Sequence, residues 1–261
     1  MASEVHPPKI QIENLDFSYA DEQAKPLNIL DQLSLSVFDR EFLTIVGASG
    51  CGKSTLLNII AGLLPPGSGK VYIDGREIQR PGPDRTMVFQ DDAVFPWYTV
   101  YQNVEYGLKI SKVPNPTRDQ QVKHVLDLVG LTGCDDMYPR QLSGGMRKRV
   151  DVARAIVTRP EVLLMDEPFA ALDVLTKQHL QEQFLKIWND NRITVIFVTH
   201  DLEEALYLAD RVVVMSSHPG RIARIVSVPF ERPREKDVKT TLEFQTLRRE
   251  LSYVLDANFS D

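Results

Sequence analysis

The sequence of 261 residues is short of cysteine, of long apolar runs and of surplus positive charge, and each shortage excludes a class of protein. Cys51 and Cys134 are its two cysteines, too few for a disulfide framework and in keeping with a reducing compartment. No apolar stretch approaches the roughly 18 residues that span a bilayer, and the opening MASEVHPPKI lacks the apolar centre of a secretory leader. A cytoplasmic location is the expectation. The formal net charge of −6, spread along the chain, speaks against a general nucleic-acid binder, whose footprint is basic. Basic amphipathic stretches and lipidation motifs are missing as well, so membrane association is expected to run through a protein partner. There is no internal repeat and no low-complexity tract.

What is there has ordinary globular proportions, 43% apolar and 25% charged. The first third alternates short apolar runs with turn signals: IQIENLDFSY, LSLSV, EFLTIVG and KVYIDGREI read as strands, the last with a hairpin at Asp74 and Gly75. From Thr99 to about Val129 the pattern turns helical, opening on a capping box of Thr99 and Gln102. After Pro160 the runs EVLLMD, ITVIFVTH and RVVVMSS read as buried strands separated by helices, an alternation that implies a parallel sheet with crossovers. The tail from FERPREK onward is charged, then helical, and reads as peripheral.

FLTIVGASGCGKSTLLNIIAGL sets Gly47, Gly52, Lys53 and Ser54 in the order G-x-x-x-x-G-K-S between a strand and a helix. Glycines let the loop curl so that successive N–H groups face phosphate oxygens, and the helix dipole adds to the attraction. The expected cradle is Gly47, Ala48, Ser49, Gly50, Cys51, Gly52, Lys53, Ser54 and Thr55, with Lys53 on the β and γ phosphates and Ser54 on Mg²⁺. EVLLMDEP places Asp166 and Glu167 at the carboxyl end of a strand, the edge where open α/β sheets bind ligands. Asp166 is expected to hold Mg²⁺ and Glu167 to polarise the attacking water. Three further side chains have two readings each. His200 and Gln90 are ordinary polar strand ends, or a γ-phosphate contact and a metal and water contact. Tyr19 is a packed strand aromatic, or a ring offered to adenine.

Taken together, Gly47 to Ser54, Gln90, LSGGM at Leu142 to Met146, VLLMDE at Val162 to Glu167, ALD at Ala171 to Asp173, and His200 resemble the ATPase subunit of an ATP-binding cassette (ABC) transporter. The resemblance covers roughly residues 8 to 225. It implies an α/β fold with a P-loop core, a mostly parallel sheet, an antiparallel β subdomain and a helical subdomain. The implied division is 1–90 with 160–230 as core, 91–159 as helical subdomain and 231–261 as tail. It further implies that Ser143, Gly144 and Gly145, opening a helix that runs to about Thr158, grip the ATP of a second ATPase subunit, either an identical copy or a relative.

Two positions depart from the family pattern. Lys148 stands where glutamine is usual, and is expected to alter contacts near the partner's ribose. Asp151 stands where a small apolar residue is frequent, and an exposed i to i+3 ion pair with Lys148 is the simplest expectation. The segment Phe95, Pro96, Trp97 and Tyr98 reads either as core or as the groove that receives a helix of a membrane permease. PFAALDVLTKQHL, THDLEEALYLADR and the tail are similar to the ATPases of nitrate, sulfonate, taurine and bicarbonate importers of bacteria. That implies permease subunits, an indirect external solute-binding protein, no nucleic acid, and a place on the cytoplasmic face of the cell membrane. The alternative is a repair or translation ABC ATPase, although the coiled-coil insertions or second cassette of those proteins are missing here.

Overall fold

The computed structural model describes residues 7–19, 26–170, 172–191, 193–217 and 219–258. Ala171, part of the ALD motif, lies outside them. Two sheets form. The first is antiparallel, in the order β2-β1-β4-β5, from β1 (Ile10–Tyr19), β2 (Leu27–Val37), β4 (Ser68–Ile73) and β5 (Arg76–Glu77). Its Asp74-Gly75 turn has positive φ at both residues, 48° and 72°, the geometry that an Asp-Gly hairpin supplies.

The second sheet has six strands in the order β10-β9-β3-β8-β7-β6. They are β3 (Phe42–Gly47), β6 (Arg85–Val88), β7 (Val162–Asp166), β8 (Thr194–Val198), β9 (Arg211–Met215) and β10 (Ile222–Ser227). The five from β9 to β6 run parallel, and β10 is an antiparallel edge. Every residue of β3, β7 and β8 is buried, which is why these strands read as continuous apolar runs.

Side chains of the six-stranded sheet divide between two cores. On one face Leu43, Ile45, Leu164 and Ile196 pack with α1 (Lys53–Ala61) against the antiparallel sheet. On the other Phe42, Val46, Leu163, Met165 and Phe197 pack with α2 (Val100–Ile110), α3 (Asn115–Leu128), α4 (Gly144–Ile156), α5 (Val174–Asn191), α6 (Leu202–Leu208) and α7 (Leu242–Ala257). The capping box at Thr99 forms as the spacing predicts. The tail is not loosely attached. Arg234 is 8% exposed and its Nη1 donates to the carbonyls of Leu206, Tyr207 and Ala209, closing the end of α6, while Phe244 and Leu251 of α7 are buried. No helix of the described residues is long and apolar enough to cross a membrane.

Candidate active site

The loop after β3 curls as its glycines require. Gly52 has φ 98°, and a Cβ there would stand 2.7 Å from Leu30 Cδ2, so both the backbone and the space demand glycine. The loop passes directly into α1, whose first N–H groups point back over it. Lys53 is 7% exposed, and its Nζ donates to the carbonyls of Gly47 at 2.8 Å and Ala48 at 2.7 Å, spanning the loop from within. Ala48, Cys51 and Thr55 are buried, and Ser49, Gly50 and Ser54 are exposed.

Parallel pairing of β3, β8 and β7 brings the carboxyl ends of these strands to one edge. Asp166, the last residue of β7, is 4% exposed, and its Oδ1 meets no hydrogen-bond partner among the described residues. Burial pushes its carboxyl above the ordinary range and Glu167 pushes it further up, while the Ser54 hydroxyl and then the Lys53 and Lys148 charges draw it back. A buried carboxylate oxygen beside a serine hydroxyl fits a hard divalent cation. Among the described residues no cluster of three or more His, Cys, Asp or Glu forms a cage. Mg²⁺ needs none, since one or two side chains with substrate phosphates suffice.

Glu167 adopts φ 45°, a left-handed conformation that a non-glycine residue takes at a cost of about 1–3 kcal/mol. The turn is held by its own N–H, which donates to the Val198 carbonyl at 3.0 Å. Its Oε2 lies 3.1 Å from Nδ1 of His200, just beyond β8. The strained turn and the histidine therefore meet across adjacent strand ends. Gln90, two residues past β6, and Tyr19, at the end of β1 with its ring edge-on to Phe17 at 5.0 Å, are both exposed.

LSGGM opens α4 as expected. Ser143 is its N-cap, with the hydroxyl accepting from the Met146 N–H at 3.2 Å, and Gly144 and Gly145 form the first turn. This end does not share a core with the cradle, because α1 and α4 occupy opposite faces of the six-stranded sheet.

A strand-loop-helix cradle after β3, a paired Asp-Glu at the end of β7 on the same sheet edge and a glycine-led helix on the far face stand together in one chain. The description "ABC transporter" matches residues 30–170. The chain belongs to the ABC transporter family. This ABC protein is 44% identical over 255 residues to the bicarbonate transport ATP-binding protein CmpD of Synechococcus elongatus, covering 96% of this chain and 90% of that one. It is 49% identical over 215 residues to the nitrate import ATP-binding protein NrtD of the same organism, covering 81% and 78%. The ATP-binding cassette MJ0796, solved as a dimer in a post-hydrolysis state bound to ADP and Pi, superposes with a TM-score of 0.76 at 29% identity, covering 85% of this chain and 100% of that one. The ABC ATPase reading of fold and enzyme class holds: this is an ATP-binding protein whose hydrolysis serves transport. The repair and translation alternative finds no support in these relatives.

One expectation is corrected. Lys148 and Asp151 of this ABC ATPase are not an exposed pair: they are 3% and 2% exposed, with Nζ and Oδ2 3.9 Å apart. Lys148 turns inward to carbonyls of its own chain at Phe89, Gln90 and Asp91. A signal for this was present, since Lys148 stands four and seven residues before the buried Val152 and Ala155 and so shares their stripe.

Other polar groups beside the site escaped the sequence reading. Lys177 of α5 reaches Asp201 at 2.9 Å and the buried Glu204 at 3.4 Å, and Glu204 also accepts from Thr199 and, at 2.9 Å, from Gln181. This network underlies His200. Asp201 followed three residues on by Glu204 has the spacing of a helix start, which was a signal for part of it, whereas Lys177 and Gln181 lie in a polar stretch with nothing to single them out.

Proposed function

We propose that the chain is the ATP-hydrolysing subunit of a bacterial importer for a small anion of the bicarbonate, nitrate or sulfonate type. The names of CmpD and NrtD support that substrate class. In this reading residues 1–90 and 160–230 form the core, 91–159 the helical subdomain and 231–261 the tail. The observation that carries the mechanism is the 3.1 Å approach of His200 Nδ1 to Glu167 Oε2 at the strand edge beside the cradle.

The loop N–H groups from Gly47 to Thr55 and the Lys53 ammonium bind the phosphates, and the exposed Tyr19 ring takes the adenine. Ser54, Asp166 and Gln90 would hold Mg²⁺, which would supply positive charge to offset that of the phosphates. Glu167 accepts a proton from the attacking water, and His200 orients that carboxylate and faces the γ-phosphate. Ser143, Gly144 and Gly145 act on the nucleotide of a second ATPase subunit, identical or related. That assignment is supported by the dimeric MJ0796 cassette and by the opposite faces taken by α1 and α4. Closure of the pair drives permease subunits through the segment around Phe95 to Tyr98, with an external solute-binding protein upstream. The chain is then peripheral on the cytoplasmic side of the membrane, with no nucleic acid involved.

Glu167→Gln tests the assignment. It is expected to keep ATP affinity, to accumulate an ATP-dependent dimer in size-exclusion chromatography, and to lose turnover by about a hundredfold or more, as loss of a general base does. Near-normal hydrolysis removes Glu167 from the role.

A further inference from the structure

The helix that opens on Ser143 is fastened along its length to the segment that carries Gln90. Arg147 Nε donates to Asp92 Oδ2 at 2.8 Å. Lys148 Nζ donates to the carbonyl of Phe89, to that of Gln90 at 3.0 Å and to that of Asp91 at 3.5 Å. Arg154 lies over the Phe95 ring at 4.8 Å and also donates to Asp151 Oδ1 at 2.8 Å. Residues 147 to 154 of α4 thus track residues 89 to 95 contact by contact.

A lysine and an aspartate buried this deeply are costly to keep. Burial pushes Lys148 below its ordinary value, opposed first by Asp151, and pushes Asp151 above its own, opposed first by Arg154 and then by Lys148. Buried ion pairs contribute little net stability over well-packed apolar residues, so stability does not explain this one. Geometry does. An ammonium has three donors, and here they meet successive carbonyls of one strand-to-loop segment, which fixes that backbone where a side-chain contact would fix only a rotamer.

We infer that Lys148, steadied by Asp151, is a positioning residue that locks the backbone at Gln90 to the helix led by Ser143, so that residues 89 to 95 travel with α4 instead of with β6. The inference rests on the roles proposed above for Gln90 and Ser143. Docking of the Ser143 end on a nucleotide then displaces Gln90 and the Phe95 ring together, with no slack between them.

Three variants of the full-length chain test this. Lys148→Met keeps the aliphatic stem and removes the donors. Lys148→Gln keeps a shorter donor. Lys148→Met with Asp151→Asn removes both charges and leaves an amide oxygen at position 151 for Arg154 to donate to. Without nucleotide, cleavage at Asp91 and Asp92 by an Asp-specific protease is expected to accelerate about tenfold in Lys148→Met and less in Lys148→Gln. In MgATP, kcat is expected to fall about tenfold in Lys148→Met with KM unchanged, the size of effect typical when a group supporting a site is lost, and to recover partly in Lys148→Gln. The double variant is expected to match the parent in Tm and ATP affinity yet keep the fast cleavage. Unchanged cleavage in both Lys148→Met and the double variant overturns the inference. So does a parallel loss of ATP affinity, kcat and Tm that Lys148→Gln does not relieve, since a merely structural lysine behaves so. The protease assay needs no nucleotide chemistry, so failure of the Glu167 assignment and failure of this one are told apart.

Discussion

Asp166 shows how a single residue can be held against its own preference. Its carboxylate is buried with Oδ1 unpartnered among the described residues, and burial raises its proton affinity. For an acid whose folded pKa lies above the unfolded one, ionisation works against the fold; the penalty is complete above the folded pKa and fades as pH drops toward the unfolded value. Asp166→Asn has no such penalty. Without nucleotide it is expected to melt later than the parent by about 2–4 °C, the equivalent of ~1 kcal/mol in a chain of this size. The gap should shrink as the buffer is made more acidic. Thermal melts with MgATP should reverse the order, because only the parent offers the cation a charged oxygen. Equal melting temperatures under both conditions remove Asp166 from the metal set.

The clearest element-scale feature is the turn before α2. Asn103 is fully buried; its Nδ2 donates to the carbonyls of Phe95, Tyr98 and Thr99 at 3.2, 3.1 and 2.9 Å, and its Oδ1 accepts from the Phe95 N–H at 2.8 Å. One amide therefore moulds the whole aromatic turn. Phe95 packs against Tyr106 at 4.9 Å, while Trp97, stacked on Phe95 at 5.7 Å, remains 66% exposed. An exposed tryptophan on a rigid base suits an interface anchor, where such residues carry a large share of the binding energy. Trp97→Ala is expected to weaken co-purification with the membrane subunits by tenfold or more, about 2 kcal/mol, at unchanged ATP affinity. Equal loss of both argues for a packing role instead. At this scale the sequence was informative where pattern and burial agree: β3, β7 and β8 are mostly apolar and buried throughout, and the Thr99 cap forms as its spacing requires. It was silent on β10, whose exposed residues around Arg224 give no apolar alternation, and misleading on Lys148, since a lysine is normally assigned to a solvated face.

For the whole molecule, the decisive fact is that cradle and glycine-led helix stand on opposite faces of one sheet. The motifs were legible one by one, because each is local in the chain. Their separation was implied by the family resemblance alone, because it depends on which face each crossover takes. It leads to a complementation test. A chain with Lys53→Ala and a chain with Ser143→Arg are each expected to be inactive alone. Mixed, they form pairs in which the intact cradle of one meets the intact serine of the other, so activity returns to a substantial fraction of the parent level. Continued inactivity on mixing, with heterodimers present, argues against shared sites.

Lys53 has one more consequence. Its amine is already engaged by the Gly47 and Ala48 oxygens, so an arriving nucleotide does not enter a waiting socket but must displace an internal tenant. That exchange needs phosphate oxygens within reach of the ammonium, and a spent diphosphate, without the γ group, offers fewer of them than a fresh triphosphate. Telling the two apart therefore begins inside the loop itself.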